Sequence, residues 1–346
     1  MWAFARWRGE VMHIVIAGSG IAGITLAETL RKLAPAFSVT VVTRETHGYY
    51  SRPMLSHGFS REDVESRIIV KDFAALRETG IRLYQGTDVL ALQPDAKTLT
   101  VQAAAAGTET LSYDRLVLAT GSEAVVPAAF RPEKGTVRVV NSLDDLIGLR
   151  RLRQQILAAG RTPRWALIGG GLIGCEVAAD LARVGDSVVL YHAQTRLMER
   201  QLSEADSSRL LTVLTGQGIT VCLPVAVAGV DCGDQGYAVQ RDTGTETGFD
   251  GVIVACGFRP RIELAVQAGL STGRGIRVDH FLTTSHPDIH AIGDVAECAD
   301  GSLYAYVMPV RHQAIWLAGY LAGTVTAPWQ VPAFKPRAKV HGFEPA

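Results

Sequence analysis

Apolar residues along this chain come in short dense runs, and two of the runs lead directly into glycines. His13-Ile14-Val15-Ile16-Ala17 is followed by Gly18-Ser19-Gly20-Ile21-Ala22-Gly23, a helical stretch to Lys32, and a second run, Val39-Thr40-Val41-Val42. The same plan returns later. Trp165-Ala166-Leu167-Ile168 leads into Gly169-Gly170-Gly171-Leu172-Ile173-Gly174, a helix from Cys175 to Arg183, and the run Val188-Val189-Leu190-Tyr191. Apolar runs without polar alternation predict strands covered on both faces, as in a parallel sheet. Each copy therefore predicts strand, glycine turn, helix, strand: a β-α-β unit.

The glycine spacing adds chemistry to that pattern. In a G-x-G-x-x-G turn the first glycine permits the tight turn and the second lets backbone approach a pyrophosphate. The third allows helix to pack closely on strand. The helix that follows points unpaired N–H groups and the positive end of its dipole at the phosphates. One such motif is a weak signal, but both copies here stand between a strand and a helix, where the motif has a physical use. The fold class expected is α/β, with two Rossmann-like dinucleotide-binding domains.

The usual ribose-binding acid at the end of the second strand is missing from both copies. Thr43, next to Arg44, stands there in the first copy and His192 in the second. A threonine hydroxyl can still bond a ribose. Neutral His192 tolerates either ribose, and Arg196 could favour a 2′-phosphate, so NADH is expected and NADPH left open.

Composition narrows the classes. The 346 residues carry 34 Lys+Arg and 34 Asp+Glu, a balance that argues against a dedicated nucleic-acid binder. The most apolar stretch, Trp165 to Ala182, is broken by four glycines and holds Glu176 and Asp180, so no membrane span is expected. The first eleven residues lack the apolar core of a secretory signal and read as an extension, with an amphipathic anchor as the other reading. Five scattered cysteines in no C-x-x-C pair fit a reducing, cytoplasmic setting. No histidine or cysteine spacing suggests a metal site.

Three further runs end in small residues: Tyr113 to Ser122, containing Ala119-Thr120-Gly121; Val252 to Pro260, containing Gly257; and Ile289 to Val295, containing Gly293-Asp294. With the two β-α-β units, their order resembles that of the pyridine-nucleotide flavoprotein oxidoreductases from about Met12 to Thr324. Within that family the chain is most similar to the rubredoxin reductases. Tyr50-Ser51-Arg52-Pro53-Met54-Leu55-Ser56 is similar to their Y-S-K/R-P-M-L-S signature. Gly171-Leu172-Ile173-Gly174-Cys175-Glu176 matches G-L-I-G-C-E, and Tyr306-Val307-Met308-Pro309 resembles their helix start beside the flavin.

The resemblance implies that the first glycine motif binds FAD and the second NAD(P)H. It places Arg52 and Pro53 against the flavin, the backbone of Val89 at the adenine, Ala119 to Gly121 at a domain crossing, and Asp294 on the ribityl and pyrophosphate region. Val307 falls beside the flavin, and Glu176 meets the nicotinamide or flavin edge, unless it is merely a first-turn acid favoured by the helix dipole. His57 either faces the flavin or is simply exposed or hydrogen-bonded. A FAD-binding domain of 12–118 plus 252–324 is expected, with an NAD(P)H-binding domain of 119–251 between its parts. Residues 325–346 look like the first strand of a shortened C-terminal α+β segment, following the extension 1–11.

The implied activity is transfer of a hydride from NADH to FAD and then of single electrons to a small iron carrier, rubredoxin first. Ferredoxin or flavorubredoxin reductase is the alternative within the enzyme class, and a slow, redox-responsive interaction protein outside it. Disulfide reductases of this fold need cysteines near the flavin, and none precedes Cys175. Cys175 itself, opening a helix, reads as packing. An acidic carrier would dock on cations, for which Arg150, Arg151, Arg153, Arg161 and Arg164, or Lys335, Arg337 and Lys339, are candidates against the reading of a solvated face. A monomer or homodimer is expected.

Overall fold

The computed structural model describes residues 11–103, 107–334 and 339–345. The principal elements of its first part are β1 (His13–Ala17), α1 (Ile21–Leu33), β2 (Ser38–Val42), β3 (Arg82–Tyr84), β4 (Thr87–Gln93), β5 (Thr98–Ala103), β6 (Thr108–Ser112) and β7 (Arg115–Leu118). Then come α2 (Leu143–Ala158), β8 (Arg164–Ile168), α3 (Leu172–Arg183), β9 (Ser187–Tyr191), α4 (Glu204–Gly216) and β10 (Thr220–Cys222). The chain continues through β11 (Val227–Gly233), β12 (Gly236–Arg241), β13 (Gly244–Phe249), β14 (Gly251–Val254), β15 (Ile289–Ala291) and α5 (Val307–Leu321).

These elements form two compact units. The first holds the chain up to Tyr50, Ile69–Glu123 and Arg259–Phe334. Its parallel sheet runs β15-β7-β1-β2-β3. Ile14, Val15 and Ile16 of β1 are all buried, the burial that their unbroken apolar run predicted. The core joins them to Leu26 and Leu30 of α1, Ala314 and Leu317 of α5, and Leu92, Leu99 and Val101 of the antiparallel meander β4-β5-β6.

The second unit holds Ser51–Ile68, Ala124–Phe258 and the chain from Lys335 onward. Its parallel sheet is β10-β9-β8-β14, and its own meander is β11-β12-β13. Ala166, Tyr191, Val239, Phe249 and Val252 meet in its core. The internal repeat thus extends beyond the glycine motif: each unit adds an antiparallel meander before the strand that closes its sheet.

The boundaries differ from those expected. Val252–Val254 pairs residue by residue with Ala166–Ile168 and belongs to the second sheet, so the return to the first unit comes at Arg259 rather than at Val252. Residues 119–123 stay with the first unit, and Ser51–Ile68 belongs to the second. Among the described residues after 324 there is no strand; Val340 and Phe343 are buried, and Gln217 Nε2 donates to the His341 carbonyl at 2.8 Å. Of the expected extension, residues 1–10 lie outside the described residues, and Val11 is exposed. Among the described residues, no helix is long and apolar enough to cross a membrane.

Candidate functional site

Each unit carries its glycine turn in the same frame. Gly18 N donates to Val42 O and Gly169 N to Tyr191 O, both at 2.8 Å. Gly18 has φ +119 and Gly169 φ +115, so both need glycine's freedom. A Cβ on Gly18 would stand 2.2 Å from Ala119 O, and one on Gly169 2.3 Å from Ala255 O. A Cβ on Gly23 would fall 2.0 Å from Gly18 O, and one on Gly174 1.8 Å from Gly169 O. First and third glycines are therefore demanded by the protein itself.

Gly171 is different. Its φ is −80, any residue could adopt its backbone, and a Cβ there would meet nothing within 4 Å. It is the N-cap of α3, with no side chain capping the helix and no acid in the first turn. Gly20 caps α1 in the same extended conformation, again without side-chain cap or first-turn acid. Both helices thus open with first-turn amides that no side chain caps, and a pyrophosphate fits such a donor set.

In the first unit, Ser19 Oγ bonds Thr43 Oγ1 at 2.8 Å, and Thr43 Oγ1 accepts from Glu45 N at 3.1 Å. Thr43 thereby ties the glycine turn to the end of β2. Ile21 and Ala22, behind the turn, pack into the core, and Arg44 forms an exposed ion pair with Asp88 at 3.3 Å. Val89 lies half-buried on β4, opposite Val101. Ala119 N continues the sheet by donating to Ala17 O at 2.9 Å, Thr120 Oγ1 donates to Arg261 O at 3.1 Å, and Gly121 turns with φ +68. Asp294 is half-buried and accepts from Ser122 Oγ at 2.8 Å. Val307 begins α5 and is exposed.

Sequence reasoning missed Gln313. It is wholly buried, and its Oε1 accepts from Gly293 N at 2.8 Å, fixing the φ +81 turn that carries Asp294. A glutamine at a core position of an apolar helix was the available signal.

In the second unit, Glu176 and Asp180 project from α3, both buried. Glu176 is not in the first turn of the helix, so its place is not explained by the dipole. Its Oε2 accepts from Ser56 Oγ at 2.6 Å and its Oε1 from Lys339 N at 2.8 Å. His57 Nε2 lies 3.9 Å from Glu176 Oε2, buried and without a hydrogen bond. Burial lowers the His57 pKa, and the smaller pull of Glu176 in the other direction does not reverse it. His57 is therefore neither simply exposed nor hydrogen-bonded. Asp180 accepts from Phe59 N at 2.7 Å, Ser60 N at 3.2 Å and the Ser60 hydroxyl. These two acids hold the short 3-10 helix Arg52–His57 and the loop after it, leaving Arg52 and Pro53 exposed.

His192 is buried at the end of β9, and its Nδ1 accepts from Gly170 N at 3.0 Å. The Arg196 guanidinium keeps its charge and donates to Leu202 O at 2.7 Å and Glu199 O at 2.8 Å, which fixes its direction. Gly257 has φ +101 and accepts from Val125 N at 3.0 Å.

Cys175 fits the packing reading: it is buried, its Sγ donates to Gly170 O at 3.4 Å, and burial pushes its thiol pKa upward. Burial pushes Cys298 up to about 12. All five cysteines are unpaired. Among the described residues no group of three His, Cys, Asp or Glu side chains is placed to hold a metal ion. The arginine cluster is largely committed elsewhere. Arg150 binds Glu65 at 3.0 Å, Arg153 binds Asp186 at 2.9 Å, Arg161 binds Asp250 at 2.7 Å and Arg164 binds Glu246 at 2.6 Å. Each of these four ion pairs joins segments of the second unit. Lys335 and Arg337 of the other cluster lie outside the described residues.

Known proteins resemble this chain in sequence and fold. The chain is 35% identical over 319 residues to the nitric oxide reductase FlRd-NAD(+) reductase of Aliivibrio fischeri, covering 91% of this chain and 80% of that one. Its namesake in Citrobacter koseri is 33% identical over 329 residues, covering 94% and 83%. Among solved structures, the reductase in the covalent putidaredoxin reductase–putidaredoxin complex matches with a TM-score of 0.84 and 27% identity, over 96% of this chain and 79% of that one. A ferredoxin reductase from Rhodopseudomonas palustris matches with a TM-score of 0.83 and 28% identity, over 92% and 78%. The sequence pattern described as pyridine nucleotide-disulphide oxidoreductase spans residues 12–318, and with two glycine turns in equivalent frames the chain belongs to that family.

Proposed function

We propose that this protein is an NADH-dependent, FAD-containing reductase of a small iron carrier, a rubredoxin or flavorubredoxin. The observation that carries the reading is Gly171. Neither its backbone nor its packing requires a glycine, and it opens an uncapped helix, so the space it leaves suits a ligand's phosphates. Family membership and the names of the relatives support the rest.

The residues divide as follows. Gly18, Ser19, Gly20 and the first turn of α1 hold the FAD pyrophosphate, Thr43 the near ribose, Val89 the adenine side, and Gly293 with Asp294 the ribityl hydroxyls. Ala119, Thr120, Gly121 and Val307, all of the first unit, border the flavin. Gly169, Gly171 and Gly174 frame the NADH pyrophosphate, His192 stands on the ribose side, and Gly257 turns the chain beyond β14. Glu176, with both oxygens already engaged, is a positioning residue for the 3-10 helix rather than a proton donor. FAD held by these residues would supply the exchange between two-electron and one-electron chemistry, so no general acid or base would be required of the chain.

The test is anaerobic mixing of the purified flavoprotein with NADH, followed by a rubredoxin, a flavorubredoxin and a ferredoxin in turn. Fast bleaching of the flavin and fast reduction of one of the first two carriers is expected. A flavin that NADH does not reduce would refute the reading, and reduction of ferredoxin alone would move the carrier assignment.

A further inference from the structure

The ribose end of the second unit's site is more built than its sequence suggests. Because His192 Nδ1 accepts the Gly170 N–H, that nitrogen carries no proton, and the ring's proton lies on Nε2. Nε2 faces the Arg196 carbonyl at 3.1 Å and Glu199 Oε2 at 3.2 Å. Gly170 is used twice, since its carbonyl also accepts from Met198 N at 2.9 Å. Leu197 and Met198 are buried, Met198 is held at φ +48, and the Ser207 hydroxyl bonds the Leu197 carbonyl. A methionine is kept in the left-handed region only where its surroundings determine it. Residues 192–199 therefore form a fixed loop closed on the glycine turn itself.

The loop's charges are sorted. The Arg196 guanidinium is positively charged but turned onto two backbone carbonyls, Leu202 O and Glu199 O. The Glu199 carboxylate is anchored through one oxygen and remains 30% exposed. Arg200 lies 4.0 Å from its other oxygen but is 86% exposed, where water and salt screen it. The fold puts the nucleotide's ribose at the end of β9, and a carboxylate there takes a 2′-hydroxyl but repels a 2′-phosphate.

We infer that Glu199, seated by His192, is the residue that makes this site prefer NADH to NADPH, in place of the acid missing from the strand end. The inference rests on the reading of this turn as a pyridine-nucleotide site.

The experiment uses the FAD-loaded protein and the oxidised nucleotides NAD+ and NADP+, so that binding is read without turnover. Calorimetric titration gives both dissociation constants. The unmodified protein is expected to bind NAD+ the more tightly, with a preference that shrinks as salt rises. In Glu199→Gln the ratio of the two constants falls by about tenfold or more, the scale of one close like-charge contact. Glu199→Asp keeps the charge and most of the ratio. An unchanged ratio in Glu199→Gln, or tighter binding of NADP+ by the unmodified protein, would overturn the inference while leaving the site assignment intact. Binding of neither nucleotide by the unmodified protein would overturn both.

Discussion

Replacing Asp180 by alanine should loosen residues 51–68 without unfolding the sheet of the second unit. The carboxylate is buried and serves two backbone amides, Phe59 N at 2.7 Å and Ser60 N at 3.2 Å, as well as a hydroxyl. Phe59 is itself buried, so its N–H would lose a charged acceptor with little access to water. An unmade bond of this kind costs about 1–3 kcal/mol, and the pair of amides about 3 kcal/mol together. Arg150 still grips the carbonyls of Gly58, Arg61 and Glu62, which keeps the loss local. A cost of about 3 kcal/mol raises the local opening equilibrium roughly a hundredfold. Hydrogen exchange followed by mass spectrometry should show that acceleration in peptides covering 51–68, with α1 as the internal control. Exchange in that segment within about threefold of the parent, in a folded variant, would refute the view that α3 holds the loop after the Arg52 helix through Asp180.

Gly171→Val and Gly174→Ala should separate ligand from fold. The first puts its side chain into open space and should cost under about 1 kcal/mol of stability while weakening NADH binding at least about tenfold. The second drives a Cβ to 1.8 Å from a carbonyl oxygen and should be detected as a large loss in melting temperature. His290 supplies a pH dependence. Burial, aided by Arg115, lowers its pKa from 6.5 to about 4, so as pH falls the unfolded chain takes the proton first. Its contribution to stability is complete above 6.5 and fades toward 4, by about 3 kcal/mol in all. Urea titrations at several pH values should show a flatter acid limb for His290→Leu than for the parent, and parallel curves would contradict the assignment.

Much of this was legible in the chain because local geometry left few alternatives. The glycines at 18, 23, 169 and 174 are forced by backbone atoms only a few residues away or on the adjoining strand, and a spacing rule captures that. Val252–Val254 was assigned to the wrong unit because an unbroken apolar run reads alike in either sheet, and only its pairing with β8 decides. The Arg52 helix was misplaced for a related reason: the carboxylates that hold it come about 120 residues later. Sequence places His192 at the strand end, but the bond of its Nδ1 to Gly170 N is one that no periodicity announces. The acids that pair with Arg150, Arg153, Arg161 and Arg164 lie about 30 to 90 residues away, so sequence lists these charges without their partners.

The order of strands β15-β7-β1-β2-β3 has a consequence for biosynthesis. β15 pairs with β7, yet the whole second parallel sheet is encoded between them. A ribosome that has emitted Val254 has released every strand of the second unit's sheet, while the first sheet still ends at β7 with an open, apolar edge. Such an edge invites pairing with other chains until it is covered. The second unit is thus expected to close first, and Asp294, made only after β15, reaches its place on a scaffold that is otherwise complete. Nascent chains halted near residue 295, with about the last 35 residues still inside the ribosome, should resist protease across 164–254 and be cut within 13–118; the reverse pattern would refute this order. The Gly293–Asp294 turn, and whatever it binds, is thus completed only after the second unit's sheet has closed.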